Sequence, residues 1–386
     1  MLFPVSLTAQ SSAGYGVLQP EEFLGQQDAI PLAVPFLRIA PDARAGGMGD
    51  GSVALSNDAN AMFWNPSRLA FNKTRYGFAA SYSPWLRALV PDVNHFYTAA
   101  YFKPDSVSAI GASFRYFSLG SWSPAWIAHP DRSNEMAFDI GYARKLNSHL
   151  SLGITGRYFR SSNVYYYGGT EQGYAADIGA TWVGKAHSGE HWSGHMQSGL
   201  AVTNMGPKIR YELDTSNKDF LPANLALATG AEFHKDSKHF FAVQVEVNKL
   251  LVPSPPVYAM DVNGNPIPDS SGGYVIPYGK DPDRNVWEGM AGSFSDAPGG
   301  AKEEWREISW SAGIEYDYKH IVKARTGFFY EHALKGNRKY VTFGVGAKYK
   351  NVAFDVSYLL PVNAQRSPLQ HTFKFTLLVH WNRFHK

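Results

Sequence analysis

Cysteine is absent from this sequence, which excludes disulfides and thiolate metal sites. It does not fix a compartment, because many exported bacterial chains avoid thiols. Long apolar runs are absent too. None approaches the ~18 residues that a membrane helix needs, so the chain either stays in water or crosses lipid as β-strands. Charge is scarce, at 18% Asp, Glu, Lys and Arg. The 36 basic and 33 acidic residues leave a net charge of +3 and are scattered over short turns, so nucleic acid is not an expected partner. Enzyme signatures are missing as well. With no His-Glu-x-x-His, no Gly-x-Ser-x-Gly and no cysteine nucleophile, neither a catalytic residue nor a cofactor is expected.

What is abundant is aromatic side chains, at 15%, and glycine, at 36 residues in a chain of 386. A soluble protein of this length would usually hold about two or three domains, whereas one large β-barrel can take the whole chain. From residue 75 onward the dominant signal has period two, the spacing that gives a strand one apolar face. In "YVTFGVGAKY" Val341, Phe343, Val345, Ala347 and Tyr349 share one face, and Thr342, Gly344, Gly346 and Lys348 the other. "NVAFDVSYLL" repeats this with Val352, Phe354, Val356 and Tyr358 against Asp355 and Ser357, and "HTFKFTLLVHW" repeats it again. Small or charged residues inside with aromatics outside reverse the economy of a soluble sandwich strand.

Such segments are predicted near 75–82, 95–102, 107–117, 134–144, 150–160, 173–183 and 196–204. Seven more fall near 224–234, 239–248, 305–318, 321–331, 339–350, 351–360 and 370–381. The total of fourteen is even, as single-chain bacterial barrels require. At about ten residues and ~3.3 Å each, tilted by roughly 40°, these strands span a hydrocarbon layer of ~25 Å. The connections alternate in length. After even-numbered strands come "KPDS", "RKLNSH", "KDSK", "KH" and "KN", with "GKAHSGEHWSGH" the one longer case. After odd-numbered strands come "SLGSWSPAWIAHPDRS", "SSNVYYYGGTEQG", "MGPKIRYELDTSNKDFLPA" and the 56 residues 249–304. Short turns on the periplasmic side and long loops outside are the habit of outer-membrane barrels, so the expected fold is an all-β, 14-stranded antiparallel transmembrane β-barrel.

Barrels of about eight strands fill with their own side chains and those of about sixteen leave a channel, so fourteen strands enclose a lumen that something must block. The expected organisation is a signal-peptide remnant over 1–10, an N-terminal segment and lumen plug over 11–74, and the barrel over 75–386. The plug reading rests on "ARAGGMGDGSVALSNDANAMFWNPSRLAF", residues 43–71. Gly47, Gly49 and Gly51 alternate, but Ser52 stands where a dinucleotide-binding fingerprint needs glycine, and no apolar strand precedes them. Gly46, Gly47, Gly49 and Gly51 instead let the backbone turn sharply and run close to the wall. Asn65 before Pro66 reads as a cap with proline at the first helical position, opening a turn through Arg68 and Leu69. Met62, Phe63 and Trp64 would anchor that turn by burial. Inward charges such as Arg115, Arg157, Glu232, Glu246, Lys323 and Arg325 are expected to hydrogen-bond the plug instead of lining a pore.

One further cluster is "HSGEHWSGH", where His187, His191 and His195 have helical spacing beside Glu190. Two Gly-Ser breaks argue against a helix, so a solvated turn is expected and no metal site. Surface aromatics favour partner binding at the long loops: Trp122, Trp126 and Ile127, Tyr165, Tyr166 and Tyr167, and Trp287, Met290 and Phe294 in the longest connection. The tyrosines read equally well as anchors at a membrane interface.

The "A-G-x-G" segment, "D-A-x-A" and "F-W-N-P" ahead of the first strand resemble the plug of the FadL-type hydrophobic-compound transporters, which are also fourteen-stranded. "AVPFLRIAPDARAGGMGD", residues 33–50, followed by "NAMFWNPSRLAF", closely resembles the PorV family, the FadL-like outer-membrane component of the Bacteroidetes type IX secretion system. The chain departs from the usual barrel ending, closing on His385 and Lys386 after Trp381 and Phe384. The narrower resemblance implies a non-enzymatic protein that binds the C-terminal signal domain of secreted cargo at the translocon barrel and carries it to a sortase-like surface protease. Its partners would also include outer-membrane lipid or lipopolysaccharide. The broader resemblance implies the alternative, a passive transporter of hydrophobic small molecules.

Overall fold

The computed structural model describes residues 30–85, 92–120, 134–163, 169–189, 192–210, 218–270, 272–362 and 369–382. Its long strands are β1 (Tyr76–Pro84), β2 (Asn94–Phe102), β3 (Ser108–Ser118), β4 (Asn134–Lys145), β5 (Leu150–Asn163), β6 (Gly169–Val183) and β7 (Ser193–Met205). They continue with β8 (Asn224–His234), β9 (His239–Leu250), β10 (Ile308–Tyr318), β11 (Val322–Tyr330), β12 (Lys339–Tyr349), β13 (Val352–Pro361) and β14 (Thr372–Trp381). Each pairs antiparallel with its neighbours in sequence, and β1 pairs with β14, Tyr76 opposite Trp381 and Tyr82 opposite Phe375. The fourteen strands therefore form a closed barrel, the architecture expected from the period-two pattern. A two-residue pairing of His187–Ser188 with Ser193 and Gly194 is confined to the β6–β7 turn.

Closure leaves no edge along the membrane span, which is what lets strands cross lipid at all. Alternation then assigns every residue a solvent. On β4, Ala137, Asp139, Gly141 and Ala143 are buried in the lumen, while Phe138 and Ile140 are 46% and 57% exposed on the outside. Aromatic contacts band the outer surface near both mouths: Tyr76 stacks on Trp381 at 5.7 Å at one end, and Tyr358 packs on Phe373 at 4.8 Å at the other. Such girdles place amphipathic rings at the two lipid–water boundaries.

Several boundaries differ from the sequence expectation. The strand expected over 305–318 starts only at Ile308, because Ala301–Arg306 is a helix. Helix-forming Ala, Lys and Glu follow Gly299 and Gly300, and the Glu303 carboxylate accepts from the Gly299 N–H at 2.7 Å. β5 and β6 also run further than expected, through Asn163 and from Gly169. Beyond the membrane no lipid face enforces apolar alternation, so the period-two signal fades where the pairing does not.

Candidate functional site

The closed barrel is filled by residues 30–72. Ile30 and Leu32 lie at the long-loop mouth beside Leu250, Glu331 and Lys335, and the Ala33 N–H donates to the Phe220 carbonyl at 2.9 Å. A 3₁₀ turn, Pro35–Arg38, buries Phe36 and Leu37 against Phe117, Phe159, Ile209 and Leu221. The segment then descends. Helix α1 (Ala43–Gly46) is capped by Asp42, whose carboxylate accepts from the Ala45 N–H at 2.8 Å and from the Trp64 indole at 2.7 Å. Burial, reinforced by nearby Asp58, pushes the Asp42 carboxyl up from its ordinary range.

Midway down, the glycines make the close approach to the wall possible. A Cβ on Gly47 would sit 3.0 Å from Gly344 Cα, and Gly49, at φ +81°, would place one 2.6 Å from the Phe328 carbonyl oxygen. Gly46 lies in α1 and a side chain there would meet Lys374, while one on Gly51 would meet Ser311 and Glu246. Hydrogen bonds fix the same stretch: Thr342 Oγ1 accepts from Gly49 N–H at 2.9 Å, and Glu246 Oε2 from Val53 N–H at 2.9 Å. Asp50 takes the Tyr340 hydroxyl at 2.8 Å and pairs with Lys374.

The lower half turns on helix α2 (Ala61–Trp64) and the 3₁₀ helix Pro66–Phe71. Asn65 is fully buried and uses its whole carboxamide. Its oxygen accepts from Ser67 N–H at 3.2 Å and Ser67 Oγ at 2.6 Å, and its nitrogen donates to the Val53 and Ala180 carbonyls at 3.2 and 3.1 Å. Pro66 follows at the position where a missing N–H costs nothing. Phe63 meets Trp64 edge-on at 4.9 Å and lies under the Arg115 guanidinium at 5.3 Å. Lys103 closes the segment from the short-turn side, donating to the Ala70 and Asn72 carbonyls at 2.8 and 2.7 Å.

The six inward charges divide. Arg115 donates to the Leu37 carbonyl at 3.1 Å, Glu246 holds Val53, and Glu232 accepts from Asn57 at 2.8 Å, so three bond the segment. Arg157, Lys323 and Arg325 pair with carboxylates of the wall instead: Arg157 with Asp139 and Asp177, both at 2.6 Å, and Arg325 with Glu315 and Asp355 at 2.5 and 2.7 Å. Lys323 stands 3.6 Å from Asp317. Sequence reasoning missed the residue that links the two sets. Arg44 of the segment makes two 3.1 Å hydrogen bonds to Glu315, the carboxylate that Arg325 also holds. The signal was present in "GIEYDY", where an inward carboxylate needs a cation from somewhere.

At the long-loop mouth, residues 251–270 and 272–307 are arranged around a clasp. Lys249 pairs with Glu304 at 2.9 Å and Glu307 at 2.6 Å, and Lys335 pairs with Glu303 and Glu307. Those glutamates lie on or just after helix α4 (Ala301–Arg306), so the clasp fixes the loop's end to the end of β9 and to the 3₁₀ turn Ala333–Lys335 that follows β11. Bridges Val257–Tyr278, Met260–Pro266 and Pro268–Tyr274 make a turn-rich hairpin, and helix α3 (Val286–Gly292) is capped by Asn285 on Glu288 N–H at 2.9 Å. Burial pushes the Asp296 carboxyl in this loop up. Trp287 and Phe294 are 69% and 52% exposed. Met290 corrects the sequence expectation: it is buried against Ala223 and Leu251, because it points from α3 to the barrel rim. Trp305, not singled out in sequence, is 72% exposed on α4. Trp122, Trp126, Ile127, Tyr165, Tyr166 and Tyr167 lie outside the described residues.

At the opposite, short-turn mouth, a cavity of about 610 Å³ is lined by Asp58, Glu232, Asp317, Lys323 and His320 among others. His187 is exposed in the β6–β7 turn and His195 stands 3.7 Å from Glu232, while Glu190 and His191 lie outside the described residues. Among the described residues no group of three or more potential ligands could hold a metal ion.

A profile of the family described as type IX secretion system protein PorV matches residues 23–257, more than half of the chain. None of the curated proteins compared matches it. Among solved structures, the toluene transporter TodX of Pseudomonas putida is 11% identical, with 90% of this chain and 99% of that one covered at a TM-score of 0.47. The Ralstonia pickettii toluene transporter TbuX is 13% identical, with 91% and 100% covered at 0.45. A Pseudomonas aeruginosa FadL homologue is 10% identical, with 89% and 99% covered at 0.44.

Proposed function

The chain belongs to the PorV family of type IX secretion system proteins and is an outer-membrane β-barrel component of that system, and on this premise we propose that it is a non-enzymatic carrier of secreted cargo. In this reading it binds the C-terminal signal domain of cargo at the translocon barrel and delivers it to the sortase-like attachment complex at the cell surface. The long loops face outward and the short turns face the periplasm. Residues 30–72 act as a permanent plug.

The observation that carries the reading is the filled lumen. A conduit for apolar solutes needs an apolar path or a segment that yields, whereas here the segment is tied through Arg44, Asp50, Val53 and Asn65 to strands all round the wall. Charged groups such as Arg157 and Arg325 line the spaces the segment leaves. This argues against the alternative of passive transport of hydrophobic molecules and for a barrel used as a membrane-held scaffold. The clasped loop with exposed Trp287, Phe294 and Trp305 supplies a surface for a protein partner, since aromatic residues dominate the energetics of such contacts.

The reading is tested by affinity purification of the tagged protein from its native membrane. Recovery of the translocon and of cargo that still carries C-terminal domains is expected. Recovery of neither, from a membrane in which both are present, would refute it.

A further inference from the structure

At the barrel seam, where β14 meets β1 and β13, a niche of about 340 Å³ opens on the short-turn mouth. Lys348 and Lys350 line it together with Thr74, Asn351 and Asn382, and His380 and Trp381 close its walls. Its chemistry is one-sided. Both lysines are exposed, neither has a carboxylate partner among the described residues, and no carboxylate lines the niche. The Asn382 carbonyl oxygen accepts from Arg75 N–H at 3.1 Å, which leaves its amide nitrogen to donate elsewhere. Lys348, Lys350 and Asn382 therefore border a space that no carboxylate among the described residues lines.

The niche also straddles two solvents. Lys348 and His380 sit on the lumen-facing register of β12 and β14, while Trp381 faces the membrane and stacks on Tyr76 at 5.7 Å. The Lys350 ammonium lies 5.2 Å from the Tyr349 ring, and the Arg75 guanidinium 5.8 Å from the Tyr76 ring. Cations directly beside an aromatic girdle mark the depth of lipid headgroups. The wider rim is mostly of the same sign: Lys73, Arg144, Lys185, Lys235, Lys238 and Lys319 are exposed at this mouth, against the exposed carboxylates Asp105 and Asp236 in its turns.

We infer that the seam niche binds the phosphodiester of an anionic glycerophospholipid, with Lys348, Lys350 and Asn382 on the phosphate and the acyl chains running along Trp381 and Tyr76. The aromatic wall selects a lipid over free phosphate, because inorganic phosphate has nothing to place against it. Bound there, the lipid would clamp the junction between first and last strands. The inference rests on the barrel's place in a membrane and not on cargo carriage, so either can fail alone.

The test is native mass spectrometry of the full chain released from nanodiscs containing equal phosphatidylglycerol and phosphatidylcholine of matched acyl length. Retained phosphatidylglycerol is expected to exceed phosphatidylcholine, and Lys348→Gln/Lys350→Gln is expected to reduce its retention by roughly tenfold or more. The control Lys235→Gln/Lys238→Gln, in the β8–β9 turn, should leave retention within about twofold. Heat-modifiable migration in gels verifies that each variant is a folded barrel. Equal retention of the two lipids, equal losses in both double variants, or displacement of the lipid by millimolar inorganic phosphate would overturn the assignment.

Discussion

Arg44 and Glu315 stand 271 positions apart in the chain and meet inside the barrel through two parallel hydrogen bonds of 3.1 Å. The pair joins the N-terminal segment to the wall, and Arg325 and Asp355 extend it across three strands. A buried ion pair is weak evidence of net stability, because desolvation offsets most of the attraction, but breaking one leaves an uncompensated charge.

Arg44→Met is therefore expected to destabilise the folded barrel by about 3–5 kcal/mol, while Arg44→Met with Glu315→Met recovers much of the loss. The urea concentration at which the compact gel form disappears measures both. A single variant as resistant as the parent would show that the pair does not hold the segment.

Deleting residues 34–72 should leave a foldable barrel with an open lumen, because every strand pairing closes without them. Planar-bilayer conductance is expected to rise sharply. Gly313→Leu approaches the same end by a different route, since even a Cβ there would lie 2.7 Å from Met48 Cβ. If the truncated protein conducts no better than the intact one, the segment is not a plug.

Much of this was legible in the sequence, and the reason differs by region. Lipid on one side and a packed lumen on the other enforce alternation on every strand, so Val341 to Tyr349 announce their faces directly. The loop lengths alternate for the same topological cause. The Asn65–Pro66 cap was legible because its chemistry is local. Arg44–Glu315 was legible only by half, since "GIEYDY" shows an inward carboxylate in need of a cation but nothing local says which cation, 271 positions away, supplies it. Trp305 was misassigned to a strand because its apolar side chain fits either period, and the helix is set by the Glu303 contact with Gly299 N–H together with the clasp of Lys249 and Lys335 on the neighbouring glutamates.

That clasp gives a third prediction. Lys249→Met takes from Glu304 the lysine it pairs with and leaves Glu307 with Lys335 alone, which should loosen α4 and expose residues 251–307 to protease. Limited proteolysis of the folded barrel is expected to cut this loop several-fold faster than in the parent. Unchanged cleavage would mean that the apolar contact of Met290 with Leu251 suffices.

Replacing residues 256–300 with a short Gly/Ser linker should leave a heat-modifiable, membrane-inserted barrel and weaken partner recovery. Aromatic anchors in interfaces are each worth ~2 kcal/mol or more, so losing Trp287 and Phe294 should reduce binding well over tenfold. Pull-down of translocon and cargo with the shortened protein measures this. Undiminished recovery would leave the loop as a lid and make the connection at 118–133 the leading candidate.

The central claim, that this barrel carries protein cargo and not a solute, is tested most directly by the fate of cargo in a strain lacking the gene. Surface display and C-terminal processing of a type IX cargo are measured by immunoblot of cell, surface and medium fractions. The account predicts cargo with uncleaved C-terminal domains, held inside the cell or released unattached. Normal display and processing in that strain would contradict it.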